Sequence, residues 1–191
     1  MPITTAEEFL SVLERSKLLS PAEFAEARQL SAESPDATLL AKTLARNQII
    51  TFWQAAQLLA GRSAFFLGKY KLIELLGRGG MGSVFLAEHV MMHRRVALKI
   101  IPRQIARNPA ALERFLAEAR TIAALDHSNI VRAYSVDNEG DRYYLVLEYV
   151  DGLDLQRLVE AYGPLDCESA ADYLRQAADG LAHAHARNMI H

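Results

Sequence analysis

The chain has 191 residues, of which 51% are hydrophobic and 23% charged, and its formal net charge is −2. These values fit one globular domain, or a domain with a small appendage, and the charge gives no sign of a nucleic-acid partner. A single cysteine, Cys167, excludes an internal disulfide framework and fits a reducing compartment. The polar, acidic N-terminus is no secretory signal, and no apolar run approaches the roughly 18 residues of a membrane span. We therefore expect a cytoplasmic protein.

Residues 1–62 carry the periodicity of helices. Apolar residues recur at helical spacing, and three patterns place a hydroxyl side chain three residues before Glu or Gln, as in the capping box that starts helices. Two stretches, 13–23 and 44–54, share one pattern at an offset of 31 residues. We expect a small bundle of two helical hairpins, with a partner-binding surface as the alternative. The capping pairs are Thr5 with Glu8, Ser20 with Glu23 and Thr51 with Gln54.

A linker at 63–69 separates this bundle from a region with a different pattern. From Tyr70 onward, short β-leaning runs alternate with turns, and one helix with apolar residues at helical spacing follows Asn108. This pattern predicts an α+β domain over 70–150, with a five-stranded antiparallel sheet and one helix. From residue 151 to residue 191 the pattern is helical again. The predicted strands are 70–76, 84–89, 96–101, 130–136 and 143–149.

A glycine-rich stretch at 76–84 is the strongest chemical signal in the chain. Its glycines at 77, 79 and 82 let backbone N–H groups approach an anion closely. Lys99 follows in an apolar strand, where an ammonium group needs an anion or a carboxylate. A dinucleotide-binding fold would place a helix after the last glycine, and a Walker loop would need Gly-Lys-Ser/Thr; neither is present. The pattern predicts a β-hairpin that folds over phosphates, with Lys99 as its cation.

Lys99 also needs an acidic partner, and Glu118 is the best candidate. It lies three residues after Phe115 and four before Ile122, beside the apolar stripe of the predicted helix. The alternative is an exposed pair of Glu118 with Arg114, worth only about 0.3 kcal/mol. The spacing alone does not decide between these two pairings.

Several co-linear motifs make the chain recognisable from residue 70 to residue 191. The glycine loop, followed by Val96-Ala97-Leu98-Lys99, resembles the nucleotide-binding strands of protein kinases. The loop tip, which contains Gly79-Gly80-Met81-Gly82, looks most like that of bacterial, Hanks-type serine/threonine kinases. Residues 1–62 lie outside the match and are similar to the helical preludes of planctomycete-type kinases. The further matching segments are 115–119, 127–131, 147–152 and 173–185.

The resemblance implies transfer of the γ-phosphate of ATP, with Mg²⁺, to a serine or threonine of a protein. Lys99 would hold the α- and β-phosphates, and Glu118 would orient it. Gly77, Gly79 and Gly82 are implied to shape the flap over the phosphates, and Leu76 and Gly80 are implied to bind the nucleotide with them. Residues implied to contact the nucleoside are Val84, Ala97 and Leu147 at the adenine, the backbones of Glu148 and Val150 at its edge, and Asp154 at the ribose.

The resemblance ends at His191, which matches the first residue of the kinase His-Arg-Asp motif. The catalytic aspartate, the metal-binding asparagine and the Asp-Phe-Gly segment are not in the sequence, so no metal ligand is assigned. We expect an enzyme by family whose 191-residue chain is truncated and inactive. The alternative is a non-catalytic ATP-binding or scaffold fragment, in which residues 1–62 bind a protein partner.

Overall fold

The computed structural model describes residues 3–80 and 82–189. The loop-tip residue Met81 and the motif residue His191, both named in the sequence predictions, lie outside these ranges. The chain forms two compact units, Met1–Arg95 and Val96–His191. Within the described ranges, every helix is too short or too polar to cross a membrane.

Four helices form the N-terminal part of the first unit. Each begins at a side chain that accepts a hydrogen bond from a backbone N–H group, and α3 uses Asp36 for this purpose. The three capping boxes predicted from the sequence are all present. The helices are α1 (Ala6–Ser16), α2 (Pro21–Glu33), α3 (Ala37–Arg46) and α4 (Phe52–Leu59).

Apolar side chains from all four helices share one core. Phe9 and Leu13 of α1 pack with Leu40 of α3 and Leu58 of α4, and each of these side chains is at most 1% exposed. Full burial of such a side chain stabilises the fold by about 2 kcal/mol. The expected helical bundle is therefore present. Its core extends beyond residue 62, because Phe65 belongs to the same cluster.

Three antiparallel strands complete the first unit: β1 (Phe66–Leu67), β2 (Tyr70–Gly79) and β3 (Gly82–His89). The described residues contain six strands, whereas the sequence predicted five. The additional strand, β1, lies in the segment that was expected to be a linker. It is too short to show the two-residue period of a strand, and it forms as the partner of the first two residues of β2.

The second unit combines antiparallel strands with helices. β4 (Arg94–Ile100), most of which lies in this unit, pairs with β6 (Arg142–Glu148), and β6 pairs with β5 (Ala133–Glu139). Leu98 and Tyr144 at the centre of these strands are almost completely buried. The predicted α+β fold class is confirmed. The helices are α5 (Arg103–Ala106), α6 (Pro109–Ala123), α7 (Leu155–Tyr162) and α8 (Cys167–His185).

Candidate functional site

The glycine-rich stretch forms the tip of the hairpin between β2 and β3. Gly77 lies opposite Val84 and Gly79 lies opposite Gly82, so the two strands stay paired up to the turn. Gly82 has a φ of 117°, which side-chain-bearing residues rarely adopt, so the chain reversal favours glycine there. A strand follows the last glycine, as predicted, and not the helix that a dinucleotide-binding loop requires.

Three other glycines of the hairpin are not explained by the packing of the protein. A Cβ atom added at Gly77, Gly79 or Gly80 would meet no described atom within 4 Å, and none of the three has a positive φ. Neither steric contact nor backbone strain therefore calls for glycine at these positions. Close approach of an anion to backbone N–H groups would favour glycine at such positions.

Below the tip, the hairpin carries two further residues of the predicted site. Two residues outside the predicted site bond to its backbone. Leu76 and Val84 are half-buried on β2 and β3. From Thr51 and Gln54 the sequence predicts only a helix cap, but both side chains also donate hydrogen bonds to the backbone of β2. Such a contact joins residues about 20 positions apart, so no local pattern announces it.

In the second unit, β4 carries two of the predicted site residues, Ala97 and Lys99. Ala97 is 7% exposed and lies opposite Leu147, while Lys99 is half-buried opposite Leu145. Residues two apart on a strand face the same way, so the Lys99 side chain extends from the face that Ala97 lines. The lysine thus lies near the end of β4, on the face that also carries Arg95 and Ala97.

The structure does not bring Lys99 and Glu118 together. Glu118 is exposed on α6, and among the described residues neither group takes part in an ion pair. The alternative pair with Arg114 is also not among the ion pairs of the described residues, and Nε of Arg114 donates to the carbonyl of Ala110. Neither of the two pairings that the spacing allows is therefore formed in this structure.

The predicted nucleoside contacts lie at the end of β6 and just after it. The N–H of Glu148 donates to the carbonyl of Arg132 over 2.8 Å, so this N–H is already engaged within the protein. Val150 is 64% exposed in the segment that follows, which is neither helix nor strand. Asp154, implied to contact a ribose, caps α7 by accepting a hydrogen bond from the N–H of Arg157 over 2.8 Å.

A histidine pair in the second unit has no counterpart among the sequence predictions. The rings of His127 and His183 lie 4.8 Å apart, and Nε2 of His127 is 3.4 Å from a carboxylate oxygen of Asp179. Desolvation of the His183 ring, followed by the charges of Arg187 and His127, lowers the pKa of His183 below its ordinary value of 6.5. Among the described residues, no group of three or more His, Cys, Asp or Glu side chains is arranged to hold a metal ion.

Comparison with known proteins covers the same region as the motifs. The model of the protein kinase domain family matches residues 70–191. The serine/threonine-protein kinase PrkC of Bacillus subtilis is 39% identical over 124 residues, which are 65% of this chain and 19% of that protein. PknB of Mycobacterium tuberculosis is 38% identical over 127 residues, which are 64% of this chain and 20% of that protein.

Solved structures give the same result for the fold. The crystal structure of the Mycobacterium tuberculosis PknI kinase domain matches with a TM-score of 0.55 and 25% sequence identity. The match covers 66% of this chain and 52% of that one. The chain therefore spans about half of the solved kinase domain and about a fifth of the length of the curated relatives it matches.

Proposed function

We propose a function from one premise: this chain belongs to the protein kinase domain family. Its similarity to PrkC and PknB places it with the bacterial, Hanks-type serine/threonine kinases. Every role that the resemblance assigns within residues 70–189 concerns the nucleotide. ATP binding is therefore the function proposed for these residues, and phosphate transfer to protein serine or threonine is proposed for the protein as a whole.

One observation carries the ATP-binding proposal. The hairpin presents three glycines, Gly77, Gly79 and Gly80, whose missing side chains leave open space that nothing in the described protein fills. Backbone N–H groups in such a hairpin suit the oxygens of a polyphosphate. An internal role for these glycines, such as close packing against another strand, would have left atoms within contact distance.

The roles proposed in the two units are complementary in chemistry. In the first unit, the hairpin supplies N–H donors for phosphate oxygens, and Val84 supplies apolar contact for the adenine. In the second unit, Lys99 supplies positive charge for the α- and β-phosphates, while Ala97 and Leu147 supply apolar contact. Mg²⁺ would neutralise charge on the phosphates when bound, and none of the described residues is assigned as its ligand.

The pairing of Lys99 with Glu118 is proposed for the nucleotide-bound state. Both groups lie in the second unit, and neither forms an ion pair with any residue that the structure describes, so no such pair has to be displaced. An ammonium group that holds two phosphates gains orientation from a carboxylate, because the carboxylate restricts the lysine side chain to one direction. The Glu118 carboxylate is proposed to act on Lys99 and not directly on ATP.

Nucleotide titration of the 191-residue chain tests the proposal. We expect ATP to bind the wild-type chain, and Lys99→Met to weaken binding at least about tenfold, because a charge-assisted contact is lost. Val84→Asp should weaken binding comparably by placing a carboxylate next to the nucleotide. Lys42→Met, which removes an exposed lysine from α3, is the matched control and should bind ATP like the wild type.

Affinity that is equal in all four proteins would contradict the nucleotide site. That result would favour the alternative of a scaffold fragment, for which residues 1–62 carry the function.

A further inference from the structure

Two consecutive carbonyl groups of β2 accept hydrogen bonds from the first turn of α4. The hydroxyl of Thr51 donates to the carbonyl of Ile73 over 2.7 Å, and Nε2 of Gln54 donates to the carbonyl of Leu72 over 2.8 Å. Gln54 is 5% exposed, so its bond lies in the interior of the first unit. These bonds connect the helical bundle directly to the strand that carries the glycine tip.

The two carbonyls lie where the ladder of β2 is interrupted. On one side, β1 pairs with β2 at Tyr70 and Lys71, and the last backbone bond of this pairing runs from the N–H of Leu72 to the carbonyl of Phe65 over 2.7 Å. On the other side, the register with β3 shifts between Leu72 and Glu74, which marks a β-bulge. Backbone groups at a bulge lose regular partners, and a buried carbonyl without a donor is unfavourable. The start of α4 therefore supplies donors at the first of two irregularities in the β2–β3 ladder; the second lies between Leu75 and Gly77.

The side-chain amide of Gln54 both accepts and donates a hydrogen bond at this junction. Its Oε1 accepts a hydrogen bond from the N–H of Thr51 over 2.9 Å, which closes the capping box, while its Nε2 reaches Leu72. The capping boxes of α1 and α2 have Glu8 and Glu23 at the equivalent position, and a carboxylate can accept but cannot donate. Only the capping box that contacts a strand carries the amide.

An aromatic contact joins the same turn to the other strand of the hairpin. Trp53, between Thr51 and Gln54, meets Phe85 of β3 with 5.6 Å between ring centroids and also meets Phe65 at 5.8 Å. Phe85 is adjacent to Val84, the residue proposed to contact adenine. The first turn of α4 thus contacts β2 through hydrogen bonds and β3 through a ring.

We propose that Thr51 and Gln54 are positioning residues for the glycine hairpin, and that they set nucleotide affinity without touching the nucleotide. They hold the bulge at Leu72 and Ile73, and Gly77 follows only about 13 Å further along the strand at 3.3 Å per residue. Holding this first bulge constrains the direction in which β2 continues toward the second bulge and the glycine tip. This inference rests on the nucleotide-binding role proposed for the hairpin.

Amide hydrogen exchange of the 191-residue chain tests the positioning role without any nucleotide. Gln54→Glu keeps the acceptor of the capping box and removes the donor to Leu72. We expect the amides of 72–80 and 82–85 to exchange about tenfold faster at neutral pH, because a buried bond that closes this region is lost. The amides of α1 and α3 should be unchanged. Glu8→Gln, the reciprocal exchange in an exposed capping box, is the control and should leave the hairpin amides unchanged.

Nucleotide titration of the same proteins then separates the two proposals. Gln54→Glu should raise the dissociation constant for ATP about threefold to tenfold, while Glu8→Gln should not change it. If the wild-type chain binds no ATP, the proposed function fails and the exchange data still decide the positioning role. Hairpin exchange that is equal in Gln54→Glu and the wild type, or faster exchange spread evenly over α1–α3, would overturn the positioning role.

Thr51 supplies a second test in case Gln54→Glu does not fold. Thr51→Ser retains the hydroxyl that bonds both the helix and Ile73, whereas Thr51→Val keeps the shape and removes both bonds. We expect the serine variant to match the wild type in hairpin exchange and ATP affinity. The valine variant should resemble Gln54→Glu, and equal behaviour of the two Thr51 variants would contradict the inference.

Discussion

The indole ring of Trp53 meets the ring of Phe85 edge-on, with 5.6 Å between centroids and an interplanar angle of 62°. Trp53 is the only tryptophan of the chain, and it belongs to helix α4, while Phe85 belongs to strand β3. Edge-on contacts between aromatic rings are favourable beyond their buried area. Intrinsic fluorescence therefore reports on the junction between the helical bundle and the hairpin.

Phe85→Leu should destabilise the first unit by about 1 kcal/mol, because the ring contact is lost and a smaller side chain remains. It should also shift the emission of Trp53 to longer wavelength as the indole becomes more exposed to water. Urea unfolding followed by fluorescence measures both effects. Phe52→Leu is the control, since Phe52 is 66% exposed on the same helix and should change stability by less than about 0.5 kcal/mol. Equal effects of the two variants would argue against the junction.

Two glycines of the hairpin should respond differently to alanine. Gly82→Ala should destabilise the chain by about 1–2 kcal/mol, because a φ of 117° strains any residue with a Cβ atom. Gly77→Ala should leave the unfolding free energy within about 0.5 kcal/mol of wild type, since its Cβ would meet nothing within 4 Å. Chemical denaturation measures the stability of both variants. ATP titration of Gly77→Ala should nevertheless show weaker binding, and unchanged affinity would mean that the open space is not used by phosphate.

Acid should weaken the helical bundle through two of its three capping boxes. Hydrogen bonds from the backbone of Thr4 and Thr5 lower the pKa of Glu8 below its ordinary value of 4.5, and bonds from Ser20 lower the pKa of Glu23. Because the folded-state pKa is the lower one, this stabilisation is complete above 4.5 and is lost as the pH falls through the folded-state values. The free energy of unfolding of the wild type and of the double variant Glu8→Gln/Glu23→Gln, followed between about pH 6 and pH 3, measures this stabilisation. The double variant should lose less stability on acidification, and parallel curves would contradict the assignment.

Gly180 of α8 should not tolerate a branched side chain. A Cβ atom there would lie 3.1 Å from the carbonyl oxygen of Asn129, which is closer than ordinary contact, and 3.4 Å from Cγ1 of Ile130. Gly180→Val should therefore destabilise the second unit by about 2 kcal/mol. Ala178→Val, at an exposed position of the same helix, should lower the free energy of unfolding by only about 0.5 kcal/mol, the difference in helix propensity between the two residues. Thermal unfolding of the two variants compares them, and a similar loss in both would mean that the approach of α8 to Asn129 is not tight.

Local patterns predicted the elements whose determinants lie close together in the sequence. The predicted capping boxes at Thr5, Ser20 and Thr51 are present in the structure, because each depends on two residues three positions apart. The predicted glycine hairpin is also present, since its turn and both strands lie within 20 residues. The nucleotide roles of Lys99 and the hairpin remain predictions.

Features that depend on distant partners were not predictable in this way. Strand β1 has two residues and exists only because β2 offers an edge, so it leaves no period in the sequence. The bonds from Thr51 and Gln54 to β2 depend on how the bundle packs. The Lys99–Glu118 pair is the opposite case, a contact that the residue spacing permits but that is not formed in this structure.

The bonds between α4 and the β2 bulge limit where a shortened version of this gene can start. Resemblance to kinases begins at Tyr70, yet Thr51, Gln54 and strand β1, which complete the hairpin, are all encoded before that point. A reading frame cut at the start of the resemblance would encode a strand whose bulge has lost its donors. A shortened gene that is meant to keep these donors therefore has to begin before Thr51, upstream of the kinase match.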